Sequence, residues 1–435
     1  MLKRTGHADL PLHTGTVPKW LADRMMMLGT EIVQALLINY GKREVLRRLS
    51  DPLWFQSLGA VLGMDWHSSG ITTSVMYALK RGINAHAREF GLCVCGGRGK
   101  HSRKTPEQID WICNATGMNG TELVRASKLC AKVDNTAVQD GFQLYQHNFI
   151  LSDEGDWAVV QQGMNTTAKS ARRYHWCSAD IKSFVEEPHT AVTGENRGQI
   201  LNLTDTNAAP TRKSILSLSH EDPGRMIKEI AKVSGNDLMI QGNLFSGDET
   251  GAEPETVAAG QTPAWQGTNI IVESSRNLVM PAHHDVRAED VDLKRLGGVL
   301  ATAYENDNPD FESLLLTPGL GPRTLQSLTL VSEVIYGTPS RFKDPARFSF
   351  AHGGKDGHPF PVPTKIYDES IRILGDSIEK SSLGYNDKSE CLKRLHKTAL
   401  QIEANCEPMA DFDATIARER AHSHEWGGMT CAGEV

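Results

Sequence analysis

Hydrophobic residues recur at helical spacing through most of the first 132 residues. After Pro18, apolar side chains at positions 21, 25, 28, 32 and 36 fall on one face, which predicts a helix that ends at about Tyr40, before Gly41. The segment Thr105-Pro106-Glu107-Gln108 has the pattern of a capping box with proline at the first helical position, so a helix should begin there and end near Thr116. Further helices are predicted over residues 43–49, 52–62, 70–90 and 121–132.

The pattern changes to strict alternation near residue 142. Residues 142–151 and 157–162 alternate apolar with polar side chains around a polar turn, which predicts an antiparallel hairpin ended by Gly163-Met164-Asn165. Short strands are also predicted at 92–95 and 190–192. Between them, the pattern favours a helix through Lys169, Arg172 and Arg173 that carries His175 and Trp176.

Residues 234–280 are rich in Gly, Thr, Pro and acids and have no steady period, which indicates an insertion or linker. Helical spacing returns at 289–304, 311–336, 364–380 and 389–404. We therefore predict a mixed α+β protein, helix-rich with a small β-sheet domain. The expected divisions are a mixed α/β catalytic domain over 1–233, the linker at 234–280, a helical domain over 281–405 and a tail over 406–435.

The net charge of the chain limits how it could bind nucleic acid. The chain has 435 residues and a net charge of −7, so a broadly basic surface for nucleic acid is excluded and any DNA site must be a local patch. The candidate basic side chains fall into three clusters: Arg98, Lys100, Arg103 and Lys104 in the first, Lys169, Arg172 and Arg173 in the second, and Arg323, Arg341, Lys343 and Arg347 in the third. The first follows a predicted strand among three glycines and could be either a phosphate-binding loop or a solvated basic loop.

Cysteine spacing and hydropathy point to the cytoplasm. The eight cysteines show no paired zinc spacing and are expected to be reduced thiols. The N-terminus lacks the apolar core of a signal peptide, and no apolar run is long enough to span a membrane. We expect a cytoplasmic protein with no membrane partner.

The segment Pro318-Gly319-Leu320-Gly321-Pro322 is a tight turn between two predicted helices. Two glycines allow a phosphate to approach the backbone N–H groups at the positive end of the following helix, and Arg323 adds a cation beside Thr324. The segment resembles a helix-hairpin-helix motif, which implies contact with the DNA backbone through Gly319, Leu320, Gly321, Arg323 and Thr324, without base readout. The alternative is a close crossing of two core helices.

Phosphodiester cleavage could proceed by metal-activated water or by a covalent nucleophile. The catalytic candidates are Asp140, His147, His175, His67 in the segment Asp65–Gly70, and His352 in a loop with Lys355, which could bind phosphate. The segment around His67 could equally be a capped helix start, and the loop of His352 could be an ordered surface loop. A metal, Mg²⁺ or Mn²⁺, would take its ligands from Asp140, His175, His283 and His284, although neighbouring histidines on a strand point apart.

The predicted hairpin is similar in layout to the phospholipase-D-like nucleases. In that family a strand carries His-x-Lys, and the next strand ends in Gly-Ser-x-Asn. Here His147-Asn148-Phe149 and Gln162-Gly163-Met164-Asn165 take those places. Phe149 replaces the lysine, which removes the phosphate cation that the resemblance would imply. His147 would be the nucleophile on this route.

Several longer blocks resemble the bacterial and archaeal domain-of-unknown-function family 763, among them LGMDWHSSG, QDGFQLYQH, WAVVQQGMN, ARRYHW and PGLGPRTLQSL. The resemblance runs from about Thr5 to about Leu400 outside the linker. It implies a role in DNA metabolism and assigns no catalytic residues. We therefore expect a DNA-binding protein that is a metal-dependent nuclease, with a non-catalytic or architectural DNA-binding protein as the alternative. Homo-oligomer formation is left open.

Overall fold

The computed structural model describes residues 10–11, 17–64, 69–233, 293–346 and 360–409. It confirms the mixed α+β fold, in which helices predominate. None of the helices in these ranges combines the length and apolarity needed to cross a bilayer.

The first six helices lie close to the ranges that the sequence pattern predicted. Helix α1 runs from Lys19 to Ser50 as one element, and Gly41 interrupts it with φ of +81°. Asp51 caps α2, since its Oδ1 accepts from Leu53 N at 2.8 Å. The helices are α1 (Lys19–Ser50), α2 (Pro52–Val61), α3 (Ser69–Ala85), α4 (Ala87–Phe90), α5 (Thr105–Thr116) and α6 (Gly120–Lys132).

A six-stranded antiparallel sheet lies among these helices. Its strands are β1 (Leu10–Pro11), β2 (Leu92–Arg98), β4 (Gln143–Ser152), β5 (Trp157–Asn165), β6 (Ser170–Cys177) and β7 (Ala191–Thr193). The order is β1-β6-β5-β4-β2, and β7 also pairs with β6. The register aligns His147 with Gln161, and Gln161 with Tyr174.

The chain forms two compact units. The first contains residues 1–135, 142–200 and 343–435, and the second contains 136–141 and 201–342. In the first unit, α1 and α3 pack against the main sheet, and their apolar faces share one core with Val94, Ile150 and Val160 of the strands. Helices α12 (Thr364–Lys380) and α13 (Tyr385–Asn405) join it, and β10 (Phe360–Pro363) pairs in parallel with β11 (Cys406–Met409).

The second unit is mainly helical. Its helices are α7 (Ala209–Ser219), α8 (Pro223–Val233), α9 (Leu293–Asn306), α10 (Phe311–Leu315) and α11 (Pro322–Tyr336). Helix α11 packs against α7, α8 and α9, with Leu325, Leu328 and Val331 buried. Three short strands, β3 (Val138–Gln139), β8 (Gln199–Asn202) and β9 (Phe342–Lys343), form a small sheet, and β3 is antiparallel to β8.

One secondary-structure prediction is wrong. Residues 170–177 form strand β6, whereas the sequence pattern favoured a helix through Lys169–Trp176. Every residue of β6 is buried, because the strand is paired on both sides and covered on both faces. A strand buried on both faces loses the alternation of polar and apolar residues that identifies a strand in a sequence.

The predicted domain boundaries differ from the compact units. Residues 201–233, which were predicted to belong to the first domain, lie in the second unit, and helices α12 and α13 lie in the first. The compact units are defined by contacts between residues and say nothing about function. The division into a catalytic domain over 1–233 and a DNA-binding domain over 281–405 therefore stays a prediction. The predicted linker at 234–280 lies outside the described residues.

Candidate functional site

The turn between α10 and α11 has a defined geometry. Asp310 caps α10 by accepting from Ser313 N at 2.7 Å. Leu320 N then donates to Thr317 O at 3.2 Å, and Leu325 N donates to Gly321 O at 3.0 Å. Gly319 takes φ of +81°, the left-handed conformation in which a side chain is strained. The chain thus reverses in six residues, Leu316 to Gly321.

Leu320 anchors this turn. Its side chain is 0% exposed, and Gln139 Nε2 donates to Pro322 O at 2.9 Å. Pro322 occupies the first turn of α11, where its missing N–H costs nothing. The N–H groups of Arg323 and Thr324 follow in that same turn, which an α-helix leaves without partners inside the helix.

The two glycines have different surroundings. A Cβ added to Gly319 would lie 3.2 Å from Val299 Cγ2, so this glycine allows a close crossing with α9. Among the residues that the structure describes, the nearest neighbour of a Cβ added to Gly321 would be Gly319 O at 3.9 Å. Gly319 therefore matches the structural alternative. Gly321 is itself buried, and it leaves the backbone before α11 without a side chain.

Some predicted DNA-contacting side chains face inward. Leu320 is the buried anchor, and Thr324 is only 4% exposed. They could contribute to DNA binding through the backbone, while the half-buried Arg323 is the side chain at the helix start.

The predicted basic cluster of Lys100, Arg103 and Lys104 lies on a 3₁₀ turn, Gly99–Lys104, directly after β2. Lys100 and Lys104 are exposed, and Arg103 is half-buried. This cluster is at the surface, as a DNA-binding patch requires.

The second basic cluster is not a surface patch, contrary to the sequence expectation. Arg172 and Arg173 are both 0% exposed in β6. Arg172 donates two hydrogen bonds to the Asp344 carboxylate, at 2.9 and 2.8 Å, and a third to Glu195 O. Asp344 is 172 residues away from Arg172 in the sequence, so no local sequence pattern could indicate this ion pair. Only the folded structure shows it.

His147 lies in β4 with both ring nitrogens engaged. Nδ1 is 2.6 Å from Gln161 Oε1, which only accepts, so Nδ1 carries the proton. Nε2 then accepts from the Ser127 hydroxyl at 2.9 Å. Burial lowers the pKa of His147 to about 4, so the ring is neutral at pH 7. A serine, a histidine and an orienting group are the parts of an activated nucleophile. Ser127 and His147 are only 1% and 5% exposed, and a catalytic role of His147 stays a prediction.

Sequence reasoning missed Asp134, which lies beside this chain of hydrogen bonds. Its carboxylate accepts from Trp176 Nε1 at 3.0 Å and from Gln161 Nε2, and it pairs with His189. Asp134 is fully buried in a π-helical turn, Val133–Ala137. The only sequence signal was a single acid just after the end of α6, which is also typical of an exposed helix end.

His175 is also neutral and buried. Arg173 Nε donates to His175 Nε2 at 2.9 Å, so the proton of His175 is on Nδ1, which faces Leu49 O at 3.2 Å. Burial first, and the charge of Arg173 second, hold the pKa of His175 well below its usual range. His147 and His175 project from opposite faces of the sheet, so they do not share a site.

Of the four predicted metal ligands, the structure describes Asp140 and His175. Asp140 is buried in the second unit, and His175 is in the first. Across the described ranges, no three His, Cys, Asp or Glu side chains are placed to hold a metal ion. His283, His284, His67, His352 and Lys355 lie outside the described residues, and the use of Mg²⁺ or Mn²⁺ stays a prediction.

A family model described as protein of unknown function (DUF763) matches residues 6–362. The chain belongs to this family. The match confirms the family resemblance seen in the sequence. Comparisons with curated proteins and with solved structures gave no match.

The region that matches DUF763 includes most of the main sheet and the turn of the second unit. It covers all of β2 to β7 and the turn between α10 and α11, and it ends within β10. Helices α12 and α13, which complete the first unit of this DUF763 protein, follow the matched region.

Proposed function

We propose that this DUF763 protein binds DNA through the segment Leu316–Thr324, by contacts to the phosphate backbone and without base readout. The observation that supports this most is the start of α11 directly after Gly321, where no side chain separates the backbone from a ligand. This helix of 15 residues starts with the N–H groups of Arg323 and Thr324. The first-turn N–H groups of a helix and its dipole favour an anion at the N-terminus.

The internal support of the turn strengthens the proposal. Leu320 and Pro322 are fixed from within the second unit, so the N–H groups are held before a ligand arrives. Such preorganisation lowers the entropic cost of binding. Arg323 adds a cation, and a segment of this kind contacts phosphates rather than base edges. The result is a DNA-binding helix-hairpin-helix.

Gly321→Ala tests this interface with little strain, because Gly321 has an extended backbone and an added Cβ has room. We expect the Kd for a labelled duplex, measured by fluorescence anisotropy, to rise about tenfold or more, since the methyl group blocks close approach. Arg323→Gln should have a similar effect and lower the salt slope by about 0.9, because one phosphate contact is lost.

Two variants in the same unit control for these changes. Gly298→Ala adds a methyl group that would have no other described residue within 4 Å, apart from its chain neighbours and the backbone of its own helix. Arg225→Gln removes an exposed cation from α8. Both should bind DNA like the wild type. Unchanged affinity in both Gly321→Ala and Arg323→Gln would contradict the proposal and favour the helix-crossing alternative.

The nuclease hypothesis is tested with the same material. Labelled single-stranded, double-stranded and branched DNA would be incubated with Mg²⁺, with Mn²⁺ and with chelator. Cleavage that the chelator abolishes would support a metal-dependent nuclease, and binding without cleavage would support the architectural alternative. Analytical ultracentrifugation of the same samples would show whether homo-oligomers form.

A further inference from the structure

Arg173 is a buried cation without an anionic partner in the described residues. Its Nε donates to His175 Nε2 at 2.9 Å, and its Nη1 and Nη2 reach Thr72 Oγ1 and Gln56 Oε1 at 3.4 and 3.5 Å. Its guanidinium carbon also lies 4.8 Å from the centre of the Phe55 ring. All four partners are neutral. A buried charge is costly unless it is paired, so this guanidinium has a reason to attract an anion.

A directed chain of hydrogen bonds leads from Arg173 toward the end of the sheet. Arg173 donates to the Thr72 hydroxyl, which donates to Gln162 Oε1, and Gln162 Nε2 donates to the Tyr145 hydroxyl oxygen. Thr72 and Gln162 each accept from the side of Arg173 and donate toward Tyr145. The Tyr145 proton therefore points away from Gln162, on the side where the Ser69 side chain also hydrogen-bonds this hydroxyl. Hydrogen bonds in such a chain polarise one another.

The outer end of the chain meets a second cation. Arg98 is exposed at the last residue of β2, and its guanidinium carbon lies 5.8 Å from the centre of the Tyr145 ring. Among the described residues, Arg98 forms no ion pair with a carboxylate. The exposed Lys100 and Lys104 follow on the 3₁₀ turn. Three cations and the half-buried Tyr145 side chain thus lie at one end of the sheet.

We propose that Arg98 and the Tyr145 hydroxyl bind a phosphate dianion, with Arg173 as the buried cation that polarises the hydrogen-bond chain behind Tyr145. A guanidinium matches the geometry of phosphate oxygens, and a hydroxyl adds a charge-assisted hydrogen bond. The guanidinium charges of Arg98 and Arg173, which form no ion pair with a carboxylate of the described residues, match the double charge of the phosphate. The ligand is inorganic phosphate or the terminal phosphate of a phosphomonoester, and the site is separate from the turn at Gly321.

The test is calorimetric titration of the full chain with inorganic phosphate, against a chloride buffer of equal ionic strength. We expect saturable binding. Arg98→Gln and Tyr145→Phe should each raise the phosphate Kd about tenfold or more, since each removes a hydrogen bond to a charged group. Arg88→Gln removes an exposed arginine from α4 and should leave the Kd unchanged.

Arg173→Met should also raise the Kd about tenfold, and Arg173→Lys, which keeps the charge, should retain more affinity than Met. Arg98→Gln and Tyr145→Phe decide the proposal even if the buried variant does not fold. Absence of saturable phosphate binding, or equal affinity in wild type, Arg98→Gln and Tyr145→Phe, would overturn it.

Competition identifies the source of the phosphate. If a 5′-phosphorylated oligonucleotide displaces phosphate and its 5′-hydroxyl counterpart does not, the ligand is a DNA end. If neither displaces phosphate, the ligand is a small phosphate, and both results support the site. Gly321→Ala should bind inorganic phosphate like the wild type, so failure of this proposal is distinct from failure of DNA binding at the turn.

Discussion

Asp344→Ala should lower the free energy of unfolding by about 3 to 5 kcal/mol, because it leaves the buried guanidinium of Arg172 without its counterion. Both side chains of this pair are 0% exposed, and the two hydrogen bonds run in parallel from Arg172 to Asp344. The carboxylate also accepts from the backbone N–H groups of Arg197 and Ala346, at 2.8 and 2.9 Å. Urea unfolding followed by circular dichroism measures the change.

Two further variants distinguish loss of the buried Arg172–Asp344 ion pair from loss of a surface charge. Asp23→Ala breaks the partly exposed pair with Arg81 and should change stability far less. The double variant Arg172→Met with Asp344→Ala should be more stable than Asp344→Ala alone, because the unpaired charge is gone. If Asp344→Ala and Asp23→Ala unfold at the same urea concentration, Arg172 does not depend on this carboxylate.

Lowering the pH from 7 to 5 should reduce the free energy of unfolding by about 2 kcal/mol for each of His147 and His175. The folded-state pKa of His147 is lowered to about 4 and that of His175 lies well below the ordinary value of 6.5. In this window the unfolded chain takes up protons on both rings and the folded chain does not. Protonation therefore favours the unfolded state, and stability is lost as the pH falls below about 6.5.

The variant His147→Gln measures the share of this pH-dependent loss of stability that comes from His147. Glutamine can still donate toward Gln161 and accept from Ser127, yet it does not titrate. Urea unfolding at pH 7, 6 and 5 should show a slope about half that of the wild type, because one of two equivalent contributions is removed. A slope identical to the wild type would show that His147 takes up its proton in the folded state as readily as in the unfolded chain.

Local rules predicted the helices and the hairpin of this protein well. The pattern at Thr105 correctly predicted a helix to Thr116, although its capping box is absent. Thr105 Oγ1 donates to Ser102 O instead, and Gln108 Oε1 accepts from Gly96 N. The turn at Gly319-Leu320-Gly321 formed between two helices because glycine, proline and a buried leucine constrain a few consecutive residues. The use of this turn in DNA binding stays a prediction.

The candidate chemistry was predicted less well, since it depends on contacts between distant residues. His147 and His175 were interpreted as catalytic, but their neutral, buried state comes from Ser127, Gln161 and Arg173 together with the helices that cover the sheet. The same burial turned Arg172 from a surface cation into half of an internal ion pair.

By itself, the sequence determined the elements, because helical and strand periods act over a few residues. It also determined the family and the tight turn of the second unit. Only the tertiary structure decided which charges are buried and what they meet. The cost of burying a charge depends on its partners, which are the Asp344 carboxylate for Arg172 and neutral groups of the described residues for Arg173. No local sequence pattern records these partners.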